Sequence, residues 1–224
     1  TYPYSALNAI VGGVRLRDNA ELVTICAGSG LGKTTLVREI SYHLHRQGER
    51  LGLVCLEESN KRSLLGLVGI HLNKNITVNK TQASQEEIEA AYDELFPEDH
   101  PIYLYDHFGS CDIDTIIKRI SFMVKALGVT VIILDHISIL VSGLATNDER
   151  KLIDIAMTRL RTEVVQELGV TVMAVSHLRR PSGDKGFEGG ETPTLQSLRG
   201  SASIAQLSDI CISLAVEKDD PHSD

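Results

Sequence analysis

"AGSGLGKTT", Ala27–Thr35, leaves an apolar run (Leu22, Val23, Ile25, Cys26) and enters a stretch with helical spacing. A phosphate chain carries several negative charges, so a loop that holds one must gather many donors, and glycines let backbone N–H groups approach with no Cβ in the way. Gly28, Gly30 and Gly32 supply that freedom. Ser29, Gly30, Leu31, Gly32, Lys33, Thr34 and Thr35 are the candidate nucleotide-binding residues, with Lys33 placing its charge at the β- and γ-phosphates. Thr34 is a candidate magnesium ligand, and the helix that begins here directs its N-terminal dipole at the anion. The pattern departs from G-x-x-x-x-G-K-[ST] at its first position, where Ala27 stands in place of glycine. A chance glycine-rich turn is the ordinary alternative; the strand, loop and helix context argues against it.

Outward from this loop, short apolar runs recur at Leu22–Ala27, Leu51–Leu56, Ile102–Tyr105, Val129–Leu134, Val170–Val175 and Ile210–Val216. Helical patterns separate them. Leu36, Val37, Ile40 and Leu44 form one face before Gly48; Ile116, Ile117, Ile120, Met123, Val124 and Leu127 form another before Gly128; Leu152, Ala156, Leu160, Val164 and Leu168 a third before Gly169. Ser84 with Glu87 reads as a capping box that opens a helix running to about Phe96. Strands apolar throughout and separated by helices predict an α/β fold, a mostly parallel central sheet covered by helices on both faces. Its active site is expected at the carboxyl ends of the strands.

With 224 residues the chain suits one α/β domain, and no linker-like shift in composition divides it. A net charge of −8 argues against a surface that is a nucleic-acid glove throughout, while leaving room for a local basic loop. Cys26, Cys55, Cys111 and Cys211 form no C-x-x-C pair, and three of the four lie in apolar runs, which predicts buried free thiols and a reducing, cytoplasmic setting. No apolar run approaches the length that spans a membrane, and no membrane partner is expected.

Several strand ends carry the side chains of chemistry. "LGLVCLEES" ends in Glu57 and Glu58, "VTVIILDHIS" in Asp135 and His136, "VTVMAVSHLRRP" in Ser176 and His177. An aspartate closing an apolar strand opposite a phosphate loop can hold magnesium, and a nearby carboxylate can orient or deprotonate the attacking water. Asp135 is the candidate metal ligand and Glu57 the candidate base, with Glu58 open as its rival. His177, from the residues alone, reads first as an ordinary histidine at the edge of a crevice. After it, "HLRRPSGDKGFEGGETPTLQSLRGSAS" sets Arg179, Arg180, Lys185 and Arg199 among Gly, Pro and Ser. A basic loop hung from a catalytic strand suits phosphate-backbone contact, and its movement could report the nucleotide state. Asp184, Glu188 and Glu191 keep a plain solvated loop open as the alternative. Phe187 is its one aromatic residue, so backbone tracking fits better than base stacking.

Together "LEES", "VIILDHISILVSG" with "DERKLID", "SHLRRP" and "LRGSASIAQLSD" resemble the helicase domain of hexameric replicative helicases among the RecA-like P-loop NTPases, and most closely the phage-type primase-helicases. The resemblance covers most of the chain, from about Leu22 to Asp209. It implies a Mg2+-dependent motor, fuelled by ATP or another nucleoside triphosphate, that encircles single-stranded DNA at the replication fork as a homo-hexamer and unwinds the duplex. By position Glu57 matches the family's catalytic glutamate, Asp135 the Walker B aspartate and His177 a sensor of the γ-phosphate, which with Lys33 of the loop gives the candidate catalytic set Glu57, Lys33 and His177. Gln206 matches a coupling glutamine, and Arg179, Arg180 and Lys185 fall in a DNA-binding loop of the central channel. A primase domain or primase partner and a replicative polymerase are the implied associates, in a host cytoplasm for a phage protein. The family also has a primase or other region and a linker helix before the motor, and an arginine finger on a later strand. Residues 1–224 are therefore expected to be a motor domain truncated at both ends. The competing expectations are a RecA-like recombinase or repair ATPase forming filaments on DNA, and a regulatory ATP-dependent assembly protein that does not touch DNA; a small-molecule kinase is more remote.

Overall fold

Each apolar run expected as a strand is one. In a computed structural model, which describes residues 1–28, 30–106, 112–141, 149–178, 187, 190–198 and 202–216, the strands are β1 (Leu22–Ala27), β2 (Leu51–Cys55), β3 (Tyr103–Leu104), β4 (Val131–Asp135), β5 (Thr171–His177) and β6 (Ile210–Leu214). They form one sheet in the order β3-β2-β4-β5-β1-β6, with every neighbouring pair parallel. The boundaries move with the ladder and not with the apolar run. Val129 is buried but its N–H goes back to Met123 O, so β4 starts two residues later, whereas β5 continues to His177 because that residue pairs with Ala27.

Strands apolar at every position bury both faces, and here alternate side chains feed two cores. Leu22, Cys26, Ile132, Leu134, Val172 and Ala174 pack on one side; Val23, Ile25, Val131, Ile133, Met173 and Val175 pack on the other. The second side is closed by α2 (Lys33–Arg46) through Leu36, Val37, Ile40 and Leu44. The first is closed by α5 (Ile113–Leu127) and α6 (Glu149–Arg159). Ahead of β1 lies α1 (Ser5–Val11); α3 (Asn60–His71) and α4 (Gln85–Leu95) follow β2, and α7 (Ala202–Leu207) precedes β6. Helices α3 and α4 share a small core of Val68, Ile76 and Ala91. Ser84 and Glu87 do form the reciprocal capping box at the start of α4, and Gly128 ends α5 in the left-handed region with φ 69°.

The third helical face is continued differently from a plain α-helix. Its spacing of four, Leu152 to Leu168, overshoots an α-helical turn by about 40° at every step. Beyond Arg159 the chain widens into a π-helical stretch, Leu160–Gln166, which keeps Leu160 and Val164 buried on the sheet. Arg161 of this stretch pairs with Asp209, whose carboxylate also accepts from Leu22 N at 2.8 Å, so the widened turn is tied to the foot of β1.

Cys26 and Cys55 are buried free thiols, raised to about 11 and about 12 chiefly by burial, and Cys211 is a partly buried free thiol. Cys111 lies outside the described residues. Among the described residues no helix is long and apolar enough to cross a membrane.

At the far end of α2, buried His45 donates from Nε2 to Leu95 O at 2.6 Å and stacks on His100, ring centroids 4.4 Å apart and 7° between planes. Burial holds its pKa below the ordinary 6.5, with His100 and Arg46 adding and the Leu95 carbonyl opposing. Above 6.5 the imidazole is neutral in folded and unfolded chains alike and stability is full; as pH falls below that value the unfolded chain takes the proton more readily and stability is lost. Urea unfolding between neutral pH and pH ~5 is therefore expected to show a steeper loss for the wild type than for His45→Gln, which keeps a donor and cannot titrate. Equal slopes would show that His45 takes no part in the acid sensitivity.

Candidate nucleotide-hydrolysis site

The register of the sheet assembles the site. Ala27 pairs with His177, Cys55 with Asp135, and Leu134 with Ala174, so the carboxyl ends of β2, β4, β5 and β1 lie side by side in that order. Glu57, Asp135 with His136, His177 and the loop that begins at Gly28 all hang from this edge.

The loop has the conformation its glycines permit. Gly30 and Gly32 sit at φ 74° and 85°, where a side chain is strained, and Gly32 leads directly into α2. Gly28 is needed for a different reason: a Cβ there would stand 2.9 Å from Phe187 Cβ and 3.2 Å from a methyl of Leu31. Phe187 is 4 % exposed and belongs to the core on the α5 and α6 side, so the one aromatic residue of the basic stretch is packed against the phosphate loop and is not presented to bases. Ala27 in place of the usual glycine is a strand residue, paired on both sides and absent from the positive-φ positions, so alanine fits without strain. Lys33 and Thr34 open α2 half-buried, with Thr35 exposed beside them.

Lys33 Nζ reaches back across the loop, donating to Ala27 O at 3.2 Å and to His177 Nδ1 at 3.1 Å. With Nδ1 accepting, His177 is neutral and its proton is on Nε2, which faces Glu57 Oε1 at 3.6 Å. Burial first, then His136 and Lys33, hold the His177 pKa below its usual value, against the pull of Glu57. Lys33 is lowered by its own burial, with Asp135 and Glu57 opposing. Asp135, 7 % exposed, is pushed up to about 6 by burial foremost and by the carboxylates of Glu57 and Glu58, against Lys33 and Arg38.

The two glutamates of "LEES" have separate surroundings. Glu58 accepts from Arg38 at 2.6 Å and from Ser63 at 2.7 Å, bound between α2 and α3. Gly66 makes room for that arrangement, because a Cβ there would meet the Arg38 guanidinium at 2.4 to 2.7 Å. Glu57 turns the other way, 45 % exposed, and accepts from His136 Nε2 at 2.6 Å. His136, which the residue pattern did not single out, stands edge-on to His177 with ring centroids 4.2 Å apart. Its place directly after Asp135 was the available signal; nothing local said that it would face Glu57. Arg38 and Ser63 were likewise not singled out, and Phe187 was read only as the aromatic residue of the basic stretch; its packing on Gly28 joins positions far apart in sequence.

Gln206 is exposed on α7 and makes no hydrogen bond to a described residue. The end of its helix is fixed to β1 where Ser208 Oγ meets Thr24 Oγ1 at 2.7 Å. Ser29, Arg179, Arg180 and Lys185 lie outside the described residues.

A divalent cation fits the donors at this edge. Buried Asp135 and half-exposed Glu57 both act on Lys33, and the carboxylates of Glu57 and Glu58 raise Asp135 further, so this edge is rich in negative charge close to the start of α2, where Thr34 stands. Hard oxygen donors of this kind suit magnesium.

A parallel sheet in this order with a glycine-rich loop between β1 and α2 defines a RecA-like P-loop ATPase domain. The fold matches a solved ATPase domain (TM-score 0.73, 22 % identity, 88 % of this chain and 69 % of that one) and a KaiC-like protein, PH0186, of Pyrococcus horikoshii OT3 (TM-score 0.58, 18 % identity, 90 % and 74 %). It also matches a DnaB-like replicative helicase described with its interactions with primase, at TM-score 0.74 and 20 % identity over 97 % of this chain and 53 % of that one. Residues 2–223 match the profile of the DnaB-like helicase C-terminal domain, and the chain belongs to that family. It is 38 % identical over 199 residues to the DNA helicase/primase of Enterobacteria phage T3, covering 87 % of this chain and 35 % of that protein. To the replicative DNA helicase DnaB of Treponema pallidum (strain Nichols) it is 25 % identical over 219 residues, 94 % of this chain and 46 % of that protein. The chain thus spans less than half the length of these curated relatives, and the family match sets it with replicative helicases rather than with recombinases or assembly factors.

Proposed function

We propose that this domain is the nucleoside-triphosphate-hydrolysing motor of a replicative helicase that moves along single-stranded DNA as a homo-hexameric ring and separates the duplex. The observation that carries it is the meeting of Lys33, Glu57, Asp135 and His177 at one sheet edge beside the glycine loop, in a chain of the DnaB-like family.

In this reading the loop N–H groups from Gly30 to Thr35 and the α2 dipole receive the phosphates, and Lys33 leaves Ala27 O and His177 for the β- and γ-phosphate oxygens. Thr34 and Asp135 would hold Mg2+, whose chemistry is to neutralise charge on the phosphate oxygens as the bond to the leaving group breaks. Glu57 orients the attacking water and accepts its proton. His177, neutral and bridging Lys33 to Glu57, is placed to register whether a γ-phosphate is present, and it stands immediately ahead of the stretch that carries Arg179, Arg180 and Lys185. Those cations contact the DNA backbone, and Gln206 relays the nucleotide state through α7. A primase partner belongs to the same proposal, in keeping with the helicase/primase and DnaB-like relatives, as does a cytoplasmic, reducing location, which the buried free thiols favour.

The test is strand displacement and single-stranded DNA binding by the full ring-forming protein that carries this domain. Replacing Arg179, Arg180 and Lys185 together by alanine is expected to weaken binding and to lower the log–log salt slope by about 0.7 for each phosphate no longer neutralised. Titrations at several salt concentrations read the slope directly. An unchanged slope would take the DNA contact away from this stretch, and nucleotide hydrolysis with no strand displacement would refute the helicase reading.

A further inference from the structure

The partner of Glu57 is the observation that goes furthest. Glu57 lies two residues past the last residue of β2, with its side chain 45 % exposed, and its carboxylate contacts are to His136 and His177, on other strand ends. The bonds of Glu58 to Arg38 and Ser63 fix the neighbouring backbone and leave the Glu57 carboxylate to find its own place. His136 supplies that place. Its side chain is only 8 % exposed, it follows the last residue of β4, and the edge-on contact to His177 braces the ring from β5. Leu56 N donates to Asp135 O at 2.7 Å, carrying the β2–β4 pairing one step past the ladder and bringing the two strand ends level. A buried imidazole N–H thus meets the oxygen of a half-exposed carboxylate at 2.6 Å.

We propose that His136 is a positioning residue for hydrolysis: it holds Glu57 Oε1 through Nε2–H and so sets the direction from which the other carboxylate oxygen meets water. The proposal rests on Glu57 being the base. It follows that the loss of His136 acts on turnover far more than on nucleotide affinity, because the hydrogen bond it removes is to the Glu57 carboxylate, while Lys33 and the glycine loop keep their place at the start of α2. A base free to wander costs rate, since misplacing a catalytic group by about 1 Å can slow a reaction up to roughly a hundredfold.

The shapes of glutamine and asparagine give a clean test. The glutamine carboxamide nitrogen stands near the position of imidazole Nε2, and that of asparagine near Nδ1. In the full ring-forming protein, His136→Ala and His136→Asn are expected to lower kcat by roughly ten- to a hundredfold with KM for nucleotide and the thermal unfolding midpoint held. His136→Gln is expected to recover most of the rate. On a Glu57→Gln background, single-turnover hydrolysis should show no further loss from His136→Ala, because the two changes remove one device. The proposal is overturned if glutamine and asparagine are equally poor, or if His136→Ala costs as much with Glu57→Gln as without it. Slow turnover in Glu57→Gln with normal turnover in His136→Ala and His136→Asn overturns it alone; normal turnover in Glu57→Gln removes the base assignment beneath it.

Discussion

Glu57→Gln is expected to slow nucleotide hydrolysis by roughly a hundred- to ten-thousandfold, the contribution of a positioned general base, while the affinity for nucleotide stays in place. Glutamine has the shape of glutamate and can still accept from His136, so the change removes the proton acceptor and little else. Glu58→Gln is the informative control. Glu58 is held by Arg38 at 2.6 Å and Ser63 at 2.7 Å on the side away from His177, and its side chain is 14 % exposed against 45 % for Glu57. Weakening that charge-assisted pair should lower stability and slow turnover modestly. Steady-state hydrolysis with titration of a fluorescent nucleotide separates the two quantities. Near-normal turnover in Glu57→Gln, with loss in Glu58→Gln, would move the base by one residue.

Lys33→Ala is expected to weaken triphosphate binding by about a hundredfold or more and to abolish measurable hydrolysis. A hydrogen bond from a charged donor contributes about 1.5–3 kcal/mol net, and Lys33 is placed to serve both the β- and γ-phosphates. A second effect adds to this. Lys33 is the half-buried cation facing Asp135 and Glu57, so its removal leaves acids to confront an incoming anion. Diphosphate affinity should fall less than triphosphate affinity. Equal affinity of wild type and Lys33→Ala for triphosphate would refute the loop's assignment to phosphate binding.

Much of the fold was legible because its signals are local. A mostly apolar run bounded by helical patterns needs cover on both faces, and all six such runs are strands of one parallel sheet. Ser84 and Glu87 cap α4 three residues apart, Gly128 stops α5, and Gly30 and Gly32 take the backbone angles that only glycine adopts easily. The widening of the third helix at Leu160–Gln166 was not legible in this way: Leu152, Ala156, Leu160, Val164 and Leu168 read as one helical face, and the same spacing runs through the plain α-helix before it.

The site divides in the same way. By itself the sequence determined its parts: a glycine-rich loop with Lys33 and Thr34, and acids and histidines at strand ends that a parallel sheet must gather along one edge. Tertiary structure alone decided how they face one another. Glu57 and Glu58 are adjacent and chemically alike, and only the placement of Arg38 on α2 and Ser63 on α3 draws Glu58 aside and leaves Glu57 to the site. His136 meets a carboxylate 79 residues earlier because β2 and β4 are neighbours in the sheet, and Lys33 meets a histidine 144 residues later because β1 and β5 are. Phe187 packs on Gly28 across a similar interval. Periodicity and turn chemistry report what a residue does within a few positions of its neighbours. Strand order is settled by how the two cores close over the whole sheet, and so the partners it creates could be read only from the folded chain.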